Sequence, residues 1–484
     1  MISSGGPTLV AVDLGAESCR VSMLQWQGEA PHITMVRRFA NAPVDHGAAG
    51  LRWDLERIRT ELDFALHACA GLAPGGIDGI GVTGWAVDYV RLDPKGQPLA
   101  APHCYRDPRA QSAMAAVHAI LPAEQLYART GVQIQPLNTI YQLYADRLAG
   151  NDAAPWVNLP ESILHWLGAP RIAETTNATH TALIEPGQRA WCEEIFSALG
   201  LNHAAAPEVI EPGTVLGPVR ADLRSLPAFA RTQIIAPACH DTASAVAGIP
   251  GSDKPWAYLS SGTWSLVGML QPQALRTPEA CAAGFTNLGA ADGQILFHRG
   301  IAGMWLLQQC LKTWAPQRAW AVEELIAEAR RVSASEALID LDDPVFIPPG
   351  DMPARINAQR ISRWLAPLAE SEDAAPQFAA LIFHSLAARY AETLREITKL
   401  TGLRPERICI VGGGSRNAFL NELTSAATGL PVVACAQESS TLGNFAVQWA
   451  ALESHTGVAV PDAIARHAAV LAVAVSAPPR EAIA

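Results

Sequence analysis

Lysine is nearly missing from this chain: only four occur among 484 residues, and none stands in a glycine-rich turn. The dipeptide Gly-Lys occurs nowhere. That excludes a Walker A loop, which needs its lysine on the β- and γ-phosphates. Any phosphate bound here must be met by backbone N–H groups, Ser or Thr hydroxyls and a metal ion. The nine cysteines are scattered and never form a Cys-x-x-Cys pair, which excludes compact zinc and dithiol motifs. Their odd number and apolar surroundings predict buried free thiols in a cytoplasmic protein. Positive charge is in deficit, with a net charge of −11, so no general nucleic-acid surface is expected. No window approaches about 18 uncharged apolar residues, and no membrane-spanning helix is expected. Residues 1–7 lack a basic n-region, so no signal peptide is expected either.

What is present is an ordinary globular composition, 49% apolar and 17% charged, enough for a sizeable core. The length predicts about three domains or two large ones. Near mid-chain the strand-like run 233–236 leads into Pro237-Ala238-Cys239-His240-Asp241-Thr242, and small residues at helical spacing follow. A His-Asp pair therefore sits where a strand gives way to a helix, the place where active sites of α/β proteins gather. Asp241 has two compatible readings. It can cap the helix by accepting from the N–H groups of residues 242–244. It can also serve as a general base, kept ionised by the helix N-terminus.

The chain opens on a hairpin, with strands over 8–12 and 20–24 around Asp13-Leu14-Gly15-Ala16-Glu17-Ser18. Backbone N–H groups in such a turn can cradle a phosphate, and Asp13 can hold Mg²⁺; an ordinary hairpin explains the pattern as well. Asp54 caps a predicted amphipathic helix reaching residue 70. Two strand runs follow, 79–84 and 86–92, then an Asp93-Pro94-Lys95-Gly96 turn. Trp85 can stack on a sugar face and Asp88 can accept from sugar hydroxyls, with core packing the competing account. Asp107 can cap a helix starting near Ala110. Residues 121–203 read as mixed, and 131–139 as an extended polar segment.

The breaker cluster at 248–255 marks a domain boundary. Directly after it, residues 256–268 repeat the strand, polar-Gly turn, strand layout of the N-terminus without its sequence. Two such hairpins, one opening each half of the chain, can clasp a polyphosphate as in actin-like ATPases. Near the end, strand 407–411, Gly412-Gly413-Gly414 and a helix from about Arg416 form a nucleotide-binding layout. Asn417 stands where a dinucleotide fingerprint needs its third glycine. No chemistry is legible beyond about Thr456.

Together these motifs resemble the FGGY carbohydrate kinases, and among them the rhamnulokinase branch, over roughly residues 8–453. The resemblance rests on Asp13-Leu14-Gly15-Ala16, Trp85-Ala86-Val87-Asp88, Tyr105-Arg106-Asp107, Asn138-Thr139-Ile140-Tyr141-Gln142-Leu143 and His240-Asp241-Thr242-Ala243. It continues through residues 259–266, Trp305-Leu306-Leu307-Gln308, Pro349-Gly350-Asp351-Met352-Pro353, Gly412-Gly413-Gly414 and Ser440-Thr441-Leu442-Gly443-Asn444. It implies an α/β fold of two actin-like, ribonuclease H-like domains with a central cleft. The expected division is 1–248, 249–455 and a tail at 456–484.

The implied activity is ATP- and Mg²⁺-dependent phosphorylation of a ketose, with the 1-hydroxyl of L-rhamnulose first and L-fuculose or a pentulose as alternatives. Asp241 would be the base. His240, Trp85, Ala86, Asp88, Arg106 and Asn138 would face the sugar. Gly15, Ala16, Glu17, Gly262, Thr263, Gln308, Gly413, Gly414 and Asn417 would line the nucleotide site, and Asp13 would place Mg²⁺. The expected partners are the sugar and ATP, with no nucleic acid or membrane, in a monomer or homodimer. Cys19, Ala86 and Gly300 depart from the family pattern, where Gly, Gly and Asn are usual. A sugar-sensing protein on a kinase scaffold is the competing class, and it would need a broken catalytic set. An actin-like chaperone would need a peptide-binding domain, for which about 30 residues after the last core helix are too few.

Overall fold

Six strands form the first sheet of the computed structural model, with Leu9–Leu14 near its centre. The structure describes residues 5–251, 254–333, 337–454 and 461–476. Every residue of Leu9–Leu14 is buried; the strand is paired on both edges, and a helix later in the chain packs on its face. It pairs antiparallel with Ser18–Gln27, which in turn pairs with Ala30–Ala40. On its other side it pairs parallel with Gly79–Gly84, and Gln233–Ala236 adds to that strand, again parallel. The helix Leu55–Leu72 covers this core through Leu55, Ile58, Leu62, Leu66 and Cys69, the i, i+3, i+4 stripe of an amphipathic helix. Asp54 caps it by accepting from Arg57 N.

Contacts group the described chain into two units. One comprises residues 1–251, 270–297 and 438–484, and the other 252–269 and 298–437. The sequence division after residue 248 and this grouping are different cuts, because the helix Ser439–Glu453 packs on the first unit's sheet and on the helix Asp241–Ala247. Gly443 makes this possible. A Cβ there would run into the Ser244 carbonyl, so only glycine lets the two helices approach so closely. The helix Pro461–Ser476 packs on the same helix, with His467 stacked on Trp449 at 3.8 Å between ring centroids. Among the described residues no helix is long and apolar enough to cross a membrane.

The second unit repeats the plan. Ala257–Ser261 pairs antiparallel with Trp264–Gln271 and parallel with Ile408–Val411, which pairs parallel with Val432–Ala434. The long helix Ala375–Thr401 buries one apolar side in this unit and ends at Gly402 in the left-handed conformation.

Candidate active site

Three parallel strands of the first unit end at one edge, and each delivers site residues there. Leu9–Leu14 leads to residues 15–17, Gly79–Gly84 to Trp85, and Gln233–Ala236 to His240 and Asp241. The ends are tied together: Trp85 N donates to Leu14 O at 3.2 Å and Gly84 N to Cys239 O at 2.9 Å. The Thr83 hydroxyl donates to Ala238 O at 3.0 Å. Ligands of open α/β sheets bind beyond such strand ends.

Asp241 is the first residue of its helix, and His240 occupies the N-cap. The cap expectation is corrected in part. Asp241 Oδ1 accepts from Thr242 N at 2.6 Å and from the Thr242 hydroxyl at 3.2 Å, while Ser244 N goes to His240 O. Standing one residue further in, the side chain reaches the neighbouring N–H rather than those a turn ahead. His240 Nε2 lies 3.2 Å from the same Oδ1. Among the described residues no donor bonds Oδ2, and the Asp241 side chain is 40% exposed. Surrounding protein and the like charge of Asp13 push the Asp241 carboxyl up to about 7.

Asp13 is buried at the end of the first strand. Its Oδ2 accepts from the Ser440 hydroxyl at 2.6 Å and lies 3.6 Å from Arg20 Nε. Arg20 also pairs with Glu438. The adjoining turn is held by Asn41, whose Nδ2 donates to Gly15 O at 3.0 Å and whose N donates to Glu17 O at 2.9 Å. Cys19 is buried against this turn with its thiol directed to Gly15 O at 3.7 Å. Burial pushes that thiol up to about 12, so it is a neutral packing group. Ala16 is half-buried and Glu17 exposed.

On the prospective sugar side, strand 86–92 is shorter than its sequence suggests and covers only Tyr89–Arg91. The cause is Val87, which stands at φ 70°, outside the range a strand needs and rare for a β-branched residue. Its carbonyl accepts from the Thr139 hydroxyl at 2.8 Å and from Gln142 Nε2 at 3.1 Å. These bonds hold the strained loop and give the Asn138-Thr139-Ile140-Tyr141-Gln142 motif a structural role. Asp88 is 0% exposed. Its Oδ2 accepts from Trp53 Nε1 at 2.6 Å and Trp85 Nε1 at 2.9 Å, with Gln142 Nε2 at 3.3 Å from Oδ1. The carboxylate is thus spent inside the wall, and burial pushes it up to about 6.

Trp85 and Ala86 are buried in the same loop. Asn138 is buried, with Oδ1 accepting from Gln135 N at 2.8 Å. Arg106 is exposed, its guanidinium 5.2 Å from the Tyr105 ring centre. Neither Asn138 nor Arg106 bonds to Asp241. Asp107 accepts from Arg109 N at 3.0 Å, at the start of the helix it was expected to cap.

In the second unit, the turn at Gly262 and Thr263 carries the start of the helix Trp305–Trp314. Met304 N donates to Gly262 O and Trp305 N to Thr263 O, each at 3.0 Å. Gln308 Nε2 lies 3.4 Å from Thr263 Oγ1. Gly414 packs on Ser261 so closely that any Cβ would fall on its side chain, whereas Gly413 has nothing within 4 Å of where its Cβ would be. Asn417 caps the helix Ala418–Thr428 through a 3.1 Å bond from Leu420 N, and its buried Nδ2 has no partner among the described residues. A Cβ at Gly300 would have only Leu266 within 4 Å, at 3.6 Å. The missing Asn is therefore not excluded by packing.

Sequence reasoning did not single out Trp53, Gln142, His180, Glu174 or Ser440. Only a burial or hydrogen-bond map connects them to the motifs. Gln142 and Ser440 lay inside quoted motifs, with no role given to either.

Comparison with known proteins gives the chain's family. The N-terminal domain model of the FGGY family of carbohydrate kinases matches residues 8–248, and the C-terminal domain model matches 257–452. The rhamnulokinase of Pectobacterium carotovorum subsp. carotovorum is 36% identical over 452 residues, 92% of this chain and 88% of that protein. The rhamnulokinase of Enterococcus faecalis is 35% identical over 451 residues, 91% and 88% respectively. Among solved structures, a ligand-bound xylulose kinase from Lactobacillus acidophilus aligns with TM-score 0.74 at 16% identity over 97% of both chains. Plasmodium falciparum glycerol kinase with ADP aligns at 0.70 and 14% over 92% of this chain and 89% of its own. These likenesses establish the α/β fold of two actin-like domains. With both domain models matched and more than a third of its residues shared with curated kinases over most of its length, the chain belongs to the FGGY family of carbohydrate kinases and is an ATP-dependent sugar kinase.

Proposed function

We propose that the chain phosphorylates L-rhamnulose on its 1-hydroxyl, with Asp241 as the base. The carrying observation is the state of the Asp241 carboxylate: three groups crowd Oδ1, and Oδ2 is uncommitted. Oδ2 takes the proton of the sugar hydroxyl as that oxygen attacks the γ-phosphorus. The new O–P bond replaces the bond to the β-phosphate oxygen, and ADP leaves. Such a transfer needs in-line positioning and charge neutralisation more than covalent help. His240 and the Trp85-Ala86 loop face the sugar, and Asp88 acts beneath them by fixing Trp85. Asn138 and Arg106 border the same loop region.

Gly15, Ala16 and Glu17 in one hairpin, and Gly262 and Thr263 in the other, offer backbone and hydroxyl donors to phosphate. Gln308, Gly413, Gly414 and Asn417 complete the nucleotide side, with the unpartnered Asn417 Nδ2 a ready donor. Asp13 fits Mg²⁺: its charge and that of Asp241 act on each other without full compensation by Arg20, which a hard divalent cation relieves. When bound, Mg²⁺ neutralises charge on the transferring phosphoryl group. All nine cysteines are free, which suits a reducing, cytoplasmic setting.

The acceptor rests on the two rhamnulokinases above. Ala86, in the buried loop, is the residue that could move it to another ketose. A coupled ADP-release assay with L-rhamnulose, L-fuculose, L- and D-ribulose, D-xylulose and glycerol tests it. The highest kcat/KM on L-rhamnulose supports the proposal, and a higher value on another sugar replaces the acceptor. Absence of turnover with every sugar, despite ATP binding, would promote the sensor.

A further inference from the structure

One short segment of the first unit grips the two residues that precede Asp241. Glu174 Oε2 accepts from Cys239 N at 2.7 Å. The Thr176 hydroxyl accepts from His240 N at 3.2 Å and donates to Glu174 Oε2 at 2.5 Å. His180 then meets the His240 ring itself, Nε2 to Nδ1 at 3.2 Å, with the ring centroids 4.0 Å apart. The mount under His180 is stiff. The Thr181 hydroxyl donates to Ala178 O at 2.6 Å, and the Thr179 hydroxyl donates to Thr176 O at 3.1 Å and accepts from Gly289 N at 3.0 Å.

The protons along this line follow from the chemistry of the atoms. Once ionised, the Asp241 carboxylate only accepts, and its Oδ1 lies 3.2 Å from His240 Nε2, within ion-pair range, so the ring proton is assigned to Nε2. Nδ1 of the neutral ring is then an acceptor, and His180 Nε2–H is its donor. We propose that His180 is a positioning residue for the phosphoryl transfer: it sets the tautomer and orientation of His240, so that His240 occupies Asp241 Oδ1 and leaves Oδ2 for the sugar proton. Without His180 the ring can turn, or exchange its proton to Nδ1, and Oδ1 keeps only the Thr242 donors, so the carboxylate is held less firmly toward the sugar. The inference rests on Asp241 being the base.

The experiment compares His180→Ala, His180→Gln and Asp241→Asn with the wild type. Activity is measured on L-rhamnulose, or on the panel sugar with the highest wild-type kcat/KM. His180→Ala is expected to lower kcat about tenfold, an ordinary penalty for a misplaced catalytic group, with KM for sugar and ATP within about twofold. His180→Gln restores an N–H donor at a similar reach and is expected to recover most of kcat. A purely structural role would lower thermal stability in both variants and give no kcat-specific rescue. Wild-type kcat in His180→Ala, or a Gln variant no better than the Ala variant, overturns the inference and leaves the base assignment standing. Full turnover in Asp241→Asn would overturn the base assignment itself.

Discussion

The two hairpins that open the two halves of the chain share a plan and differ in charge. In the first, Asp13 pairs across the strands with Arg20, and the turn between them is held by Asn41 and a neutral cysteine. In the second, Ser261 pairs with Ser265, the Ser265 hydroxyl meets the Tyr390 hydroxyl at 2.7 Å, and Thr263 and Gln308 supply the polar groups. One hairpin brings a buried carboxylate, the other only neutral donors and acceptors. The backbone layout is therefore a common device for presenting N–H groups. The chemistry is chosen by one side chain near the end of the first strand.

Removing that charge should produce the largest effect. Asp13→Asn is expected to lower kcat by about a hundredfold, from the several kcal/mol that metal-ion neutralisation contributes, and to raise the Mg²⁺ concentration needed for half-activity. Both are read from a Mg²⁺ titration of the ADP-release rate. In the neutral hairpin, Thr263→Ala is expected to raise KM for ATP about tenfold, the loss of one hydrogen bond to a charged group, with the Mg²⁺ requirement unchanged. Equal Mg²⁺ responses in the two variants would break the comparison. The pH profile sharpens it. With Asp241 as the proposed base, active only when ionised and raised to about 7, kcat/KM should fall tenfold per pH unit below about 7 and level off above it. Asp13→Asn removes a like charge, favours the ionised form, and should move this limb to lower pH. Thr263→Ala should leave the limb in place.

The glycines of the neutral half probe the turn itself. Gly414→Ala drives a methyl onto Ser261 and is expected to raise KM for ATP about tenfold through a displaced turn. Gly413→Ala, with open space at its Cβ, should change it by less than about twofold. One further effect expected is a gain. In Gly300→Asn the Cβ is in ordinary contact with Leu266, and one added hydrogen bond from the amide would lower KM for ATP about threefold. No change in isothermal titration of ATP would show that the position does not reach the nucleotide.

Much of the frame was legible because it is local. The strand 233–236, the turn at Gly96 and the Asp54 cap each depend on neighbours within a few residues, and each stands as read. Asp241 was one position off as a cap, since the helix starts at that residue rather than after it. The Trp85 loop was misread as strand, because alternating apolar residues carry no sign that Val87 will be held at positive φ by Thr139 and Gln142, more than fifty positions away. Asp88 looked like a sugar acceptor for the same reason, and its tryptophan partners emerge only on folding. The helix Pro461–Ser476 lies where no chemistry was legible, and it buries His467 against Trp449.

What the sequence determined by itself was the alphabet of the site: carboxylates, hydroxyls and glycines at turn positions, and a shortage of lysine that leaves phosphate to backbone and metal. Periodicity and turn chemistry act over a few residues, so they survive without a fold. Tertiary structure alone decided which carboxylate stays available. It spent Asp88 on two indoles, tied Asp13 to Ser440, and left one oxygen of Asp241 open beside a histidine pair. Hydrogen-bond satisfaction in a core is settled among groups remote in sequence, and no local pattern records it.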